Sequence, residues 1–74
     1  MTQFYIEKFK KSKTDYDVIV YKENEATPEY ESHIIVEDII FGLASEKLAD
    51  RYYRDFQKHY NAKDKSEFYN EKTI

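Results

Sequence analysis

Two histidines and four serines are the residues of this chain best suited to metal binding or nucleophilic catalysis. Asp55 and His59 are four residues apart, so on a helix they would meet on one face. A catalytic zinc normally has three protein ligands, and the fold would have to bring Glu37 or Asp38 to this pair. A surface ion pair is the simpler interpretation. The sequence therefore predicts neither a metal site nor a cofactor.

Other catalytic patterns are missing from the sequence. There is no cysteine, which excludes a thiolate site, and the single glycine excludes a glycine-rich phosphate loop. The serines lie in no nucleophile-elbow context. Carboxylates in a solvated block keep ordinary acidity and make poor general acids. A chain of 74 residues has little room for a deep pocket, so we expect a protein that is not an enzyme.

The acidic residues are concentrated in the middle of the chain, although the net charge is only −3. Residues 1–14 carry a net charge of +3 and residues 51–74 a net charge of +2. Residues 15–50 hold ten acids against two lysines, which makes their net charge −8. Because like charges repel, we expect these acids to spread over an extended surface. A solvated loop or polar strand face is the simpler interpretation.

An acidic surface of this kind can imitate DNA, whose duplex carries one charge per roughly 1.7 Å of helix axis. If residues 23–31 are extended, alternate carboxylates would line one face of a strand. The partner would then be a basic DNA-binding protein, with no direct binding of nucleic acid by this chain. The residues expected to contact that partner are Asp17, Glu23, Glu25, Glu29, Glu31, Glu37 and Asp38.

Thirteen aromatic residues are too many for a core of this size to bury completely. Tyrosine is enriched at protein interfaces because it supplies contact area at low entropic cost. We expect Tyr5, Tyr30 and Tyr53 to belong to a partner surface or to a homodimer interface. A homodimer would also compensate for the small core.

Two other functions are also compatible with this sequence. One is a dimeric adaptor that docks a peptide on a sheet edge, which would bind with little dependence on salt. The other is a nucleic-acid-binding protein that uses local basic patches. Those patches contain Lys8, Lys10, Lys11, Lys13, Arg51 and Arg54.

Alternation of apolar and polar residues predicts the strands that must position these side chains. Gln3–Lys10 and Tyr16–Lys22 are expected to form an antiparallel hairpin around a polar, turn-like segment. A loop around Pro28 then leads to a third strand at Tyr30–Val36.

The second half of the chain has the period of a helix. An apolar residue recurs every four positions over Glu46–Tyr60, and Ser45 is placed to cap that helix. Residues 38–44 fit either a further strand or an earlier helix start, and Ser66–Glu71 fits a short helix. The sequence thus predicts one α+β domain over residues 1–74. It would be a three-stranded antiparallel sheet packed on one main C-terminal helix, with a short terminal helix.

The acidic block, together with a composition rich in Lys, Tyr, Asn and Ile, resembles the small acidic early proteins with which phages disable host machinery. Within that group the chain is most similar to the DNA sliding-clamp inhibitors of staphylococcal phages. The resemblance implies a DNA mimic that occupies the clamp channel and blocks replication. Asp38-Ile39-Ile40-Phe41 departs from the Gln-x-x-Leu-Phe-like peptides that bacterial clamps bind. The resemblance therefore favours binding by charge over binding by a peptide.

The segment Glu67-Phe68-Tyr69-Asn70 is similar to the tail of small anti-CRISPR proteins that mimic DNA. That likeness implies an alternative target, a DNA-targeting nuclease. The sequence has no run of 18 apolar residues, and the absence of cysteine agrees with a reducing compartment. We therefore expect no membrane association and a cytoplasmic location, which would be the host cytoplasm for a phage protein.

Overall fold

A computed structural model describes residues 2–72 of the chain, and side chains up to residue 70. The element order confirms the α+β class, and the main helix lies in the second half of the chain. The bounds are β1 Phe4–Ser12, β2 Asp15–Asn24, β3 His33–Leu43, α1 Glu46–Tyr60, β4 Lys63–Asp64 and α2 Lys65–Lys72.

The sheet has one strand more than the sequence predicts. Its order is β3-β2-β1-β4, with antiparallel pairing between β1, β2 and β3. The two-residue β4 runs parallel to β1 and places Lys63 opposite Tyr5, so the sheet is mixed. Only two residues pair, and such a segment has no strand period of its own that the sequence could reveal.

Residues 38–43, ambiguous in the sequence, continue β3 along β2. Their register on β2 contains a β-bulge, because Tyr16 opposes Leu43 whereas Val18 opposes Ile40. Gly42 and the residue before it therefore lie opposite the single residue Asp17. Gly42 has a φ of +67°, a left-handed conformation that side chains other than glycine rarely adopt.

The main helix begins and ends where the sequence predicts. Ser45 accepts a hydrogen bond on Oγ from the backbone N–H of Leu48 at 3.2 Å, which caps the first turn. Asn61 ends the helix in the left-handed conformation, with its N–H directed to the carbonyls of Gln57 and Lys58. Local periodicity and capping are enough to define this element.

The two helices pack on opposite faces of the sheet. Alternation along β1 directs Ile6 towards α1, where it is buried with Val18, Val20 and Ala49. On the other face, α2 packs over β1, and the ring of Phe68 lies 5.3 Å from that of Tyr5. The sheet is therefore covered by α1 on one face and only partly by α2 on the other.

At Gly42 the backbone conformation, rather than a lack of space, should limit which residues can replace the glycine. An added Cβ meets no atom within 4 Å, so Gly42→Ala should cost about 1–2 kcal/mol of unfolding free energy through backbone strain alone. Urea denaturation followed by circular dichroism measures this. Gly42→Asn should lose less stability than Gly42→Ala. Asn61→Gly, at a position with a φ of 52°, should not lose stability. An unchanged midpoint for Gly42→Ala would contradict the bulge geometry.

Over the described residues, no helix combines the length and apolar character needed to cross a membrane. The longest, α1, has 15 residues and a charged outer side.

Candidate partner-binding surface

Most of the expected partner-binding acids lie in or beside the connection between β2 and β3. Strand β2 ends at Asn24, and residues 25–32 form a loop. The predicted alternation of carboxylates along one extended strand is therefore wrong. Pro28 has no N–H to contribute to strand pairing, and the chain turns at Thr27–Tyr30 instead.

Hydrogen bonds hold the loop in one shape. The Oγ1 atom of Thr27 accepts from the backbone N–H of Tyr30 at 3.1 Å and of Glu29 at 3.3 Å. The N–H of Thr27 donates to the carbonyl of Tyr30 at 2.8 Å. At the base of the loop the hydroxyl of Ser32 donates to Glu23 at 3.0 Å, across the two strand ends. The loop is thus built from local turns rather than from packing against the core.

This loop displays three exposed carboxylates and one exposed ring. Glu25, Glu29 and Glu31 are exposed, and in the described part of the chain none of the three side chains forms an ion pair or hydrogen bond. Tyr30 lies between two of them with 68% of its surface exposed. We call Glu25, Glu29, Tyr30 and Glu31 the acidic loop. With nothing to neutralise them internally, these carboxylates direct their charge outward.

Asp17 cannot contact a partner, so its place in the expected surface is wrong. Only 3% of it is exposed. One carboxylate oxygen pairs with the Lys11 ammonium at 3.0 Å, and the other accepts the N–H of Gly42 at 3.2 Å. The hydrogen bond from Lys11 lowers the pKa of Asp17, burial opposes this, and the Gly42 bond adds to it. Asp17 fixes the β-bulge of β3 instead.

The other acids expected to contact a partner differ in how exposed they are. Asp38 is half-buried and accepts a 2.8 Å hydrogen bond from the hydroxyl of Tyr60, which ties β3 to the end of α1. That bond, with burial, raises the pKa of Tyr60. Glu23 is half-buried at the base of the loop, whereas Glu37 is exposed at a second irregularity in β3. Only Glu37 extends the acidic loop along the sheet edge.

Of the three expected interface tyrosines, Tyr30 alone is exposed. Tyr5 has 1% of its surface exposed, beneath Phe68, so its assignment to a surface is wrong. Tyr53 is half-buried against the core, and its hydroxyl donates to Asp64 at 2.6 Å. Burial raises the pKa of Tyr53, and this hydrogen bond raises it further. Both placements depend on the end of the described chain: Phe68 of the short helix α2 covers Tyr5, and Asp64 of the unexpected strand β4 binds the Tyr53 hydroxyl.

A second surface, which the sequence analysis does not predict, is the part of the sheet that α2 leaves uncovered. Phe9, Val36 and Phe41 are exposed there by 46%, 56% and 66%. Between them the half-buried Ile19 and Ile39 face each other in register on β2 and β3. We call these five residues the open sheet face. The alternation along β1 and β3 could have indicated it, had residues 38–43 been assigned to a strand.

Asp55 and His59 both lie exposed on α1.

Comparison with protein-family models, curated proteins and solved structures finds no match for this chain. Function must therefore be argued from the surfaces of the molecule itself.

Proposed function

We propose that this protein is an inhibitor without catalytic activity that places its acidic loop on the basic DNA-binding surface of a host protein. The observation that carries the proposal is the set of three exposed, unpaired carboxylates, Glu25, Glu29 and Glu31, on a loop held by its own hydrogen bonds. A loop that is already ordered loses little further entropy on binding.

Charge would determine how this contact forms. Carboxylates that face a basic surface accelerate encounter and make it sensitive to salt, because exposed charges are screened within about 10 Å at 0.1 M ionic strength. Tyr30, at the centre of the loop, would add contact area that salt does not weaken. The proposal therefore implies fast association and release at moderate salt.

The target we propose is the sliding clamp of a bacterial DNA polymerase, in the cytoplasm of the host cell. The resemblance to phage clamp inhibitors supports this target, as does the acidic character of the loop. Occupation of the clamp channel would exclude DNA and stop replication. A DNA-targeting nuclease is the alternative target for the same loop.

The test is a pull-down from a low-GC Gram-positive lysate with tagged protein, eluted by a salt gradient and repeated with duplex DNA as competitor. We expect a clamp or another DNA-binding protein to elute at moderate salt and to be displaced by DNA. Retention of no basic protein would contradict the proposal. So would a partner that persists at high salt and ignores DNA.

A dimeric adaptor is the second candidate, and the open sheet face favours it. Homodimer interfaces are more apolar than the rest of a protein surface, as this face is. The Lys11–Asp17 pair beside this face is neutralised internally, so it would not repel a second copy. Sedimentation at several concentrations and at high salt would reveal such a dimer, which the inhibitor proposal does not require.

A further inference from the structure

The outer side of α1 carries four cations in one row. Lys47, Arg51, Arg54 and Lys58 are separated by four, three and four residues, which places them on one face of a helix. All four are exposed. The core-facing positions of α1, which include Leu48, Tyr52 and Phe56, lie on the opposite side. We call the four basic residues the cationic stripe.

No acid neutralises the cationic stripe within the described part of the chain. The basic residues on the strands differ in this respect, because Lys8 pairs with Asp50 at 2.6 Å and Lys11 pairs with Asp17. Lys8 thus neutralises Asp50, one of the helix acids within reach of the stripe. Asp55 is exposed, lies four residues from Arg51 and three from Lys58, and forms no ion pair among the described residues, so it weakens the field of the stripe.

The structure therefore changes the basic surface that the sequence predicts. Two of the four hairpin lysines in that prediction, Lys8 and Lys11, are held in ion pairs. The two arginines of the predicted basic surface lie on α1, in the same row as Lys47 and Lys58. At the start of the helix, part of this row borders an open depression of about 380 Å³ lined by Ser45, Lys47, Leu48, Arg51 and Arg54.

We propose that the cationic stripe binds the phosphate backbone of duplex DNA. The stripe rises about 16 Å from Lys47 to Lys58, and one strand of duplex DNA carries about five phosphates over that length of duplex axis. The two arginines can each hold a phosphate through two parallel hydrogen bonds, and the lysines act as point charges on either side. The contact reads no bases, so it is independent of sequence.

A second copy's acidic loop is a poorer fit to the same row. Its three carboxylates lie within seven residues on a turn, whereas the stripe is straight and extends over three turns of helix. The phosphates of duplex DNA repeat along its whole length, so they match a long row of cations better than three carboxylates on one turn do. Geometry thus favours DNA over self-association.

This inference goes beyond the proposed function, because it concerns a different surface with the opposite charge. A protein with both surfaces would occupy the DNA-binding surface of its target through the acidic loop and contact a separate stretch of duplex DNA through α1. Neither contact depends on the other.

The test is fluorescence anisotropy of a labelled 20-base-pair duplex of arbitrary sequence, titrated with the full chain at 50, 100 and 200 mM NaCl. Four neutralised phosphates predict a log–log slope of affinity on salt of about −3.6, or a loss on the order of 100-fold across this range. The double variant Arg51→Gln/Arg54→Gln should reduce the slope to about −1.8. Its affinity at 50 mM should fall at least about tenfold.

The matched control is Lys10→Gln/Lys13→Gln, which removes two exposed charges from the β1–β2 hairpin and should leave the slope near the wild-type value. Asp55→Asn should strengthen binding by removing an unpaired acid beside the stripe. Circular dichroism establishes that each variant is folded. The inference is overturned if wild type does not bind at 50 mM NaCl or if the hairpin control loses as much affinity as the arginine variant. Salt-sensitive self-association that requires the arginines, without DNA binding, would also overturn it.

Failure of this inference can be distinguished from failure of the proposed function. The arginine variant keeps the acidic loop and should still retain the host protein in the pull-down with DNA removed by nuclease. A variant of the acidic loop should lose that retention yet still bind the labelled duplex.

Discussion

The double variant Glu29→Lys/Glu31→Lys is expected to bind the host DNA-binding protein on the order of 100-fold more weakly than wild type at low salt. Both side chains are exposed and have no partner in the described structure, so the change should not disturb the fold. Each reversal replaces attraction to a basic surface with repulsion. Titration of the purified partner, once the pull-down has identified it, measures the loss.

Position, rather than net charge alone, should determine this effect. Asp55→Lys changes the net charge as much as Glu29→Lys does, and it is also exposed, but it lies on α1. Comparison of these two single variants therefore separates local contact from overall charge. Equal weakening by both, or full binding by the double variant, would remove the acidic loop from the proposed mechanism.

Ile6→Ala is expected to leave most of the molecules unfolded at 25 °C. The side chain is fully buried at the centre of the core between the sheet and α1. Truncation of such a residue typically costs about 2–5 kcal/mol, and a core of this size rarely supplies more than about 3–5 kcal/mol in total. Loss of the cooperative thermal transition in circular dichroism, and of partner binding with it, is the expected result.

The same truncation at an exposed position should be tolerated. Ile35 is 44% exposed near the beginning of β3, so Ile35→Ala should cost about 1 kcal/mol or less. A cooperative transition for Ile6→Ala at the wild-type temperature would mean that stability is supplied elsewhere, for example by a dimer through the open sheet face.

Several features of this protein follow from local sequence alone. The helix α1 is defined by an apolar residue every four positions, by the Ser45 cap and by the left-handed Asn61. The β1–β2 hairpin follows from alternation around a polar turn. These signals are readable because each depends on neighbours within a few residues. The concentration of acids in one part of the chain is likewise a property of the sequence.

The surfaces available to a partner were decided by tertiary structure. Residues 38–43 became part of β3 because β2 offered a pairing edge, and the same pattern would have suited a helix. Asp17 was removed from the surface by Lys11 and by the backbone of Gly42, which lies 25 residues further along the chain. Tyr5 was covered by Phe68 from the far end of the chain. Burial and ion pairing depend on contacts between distant residues, whereas sequence patterns report only near neighbours, so exposure could not be predicted from the sequence.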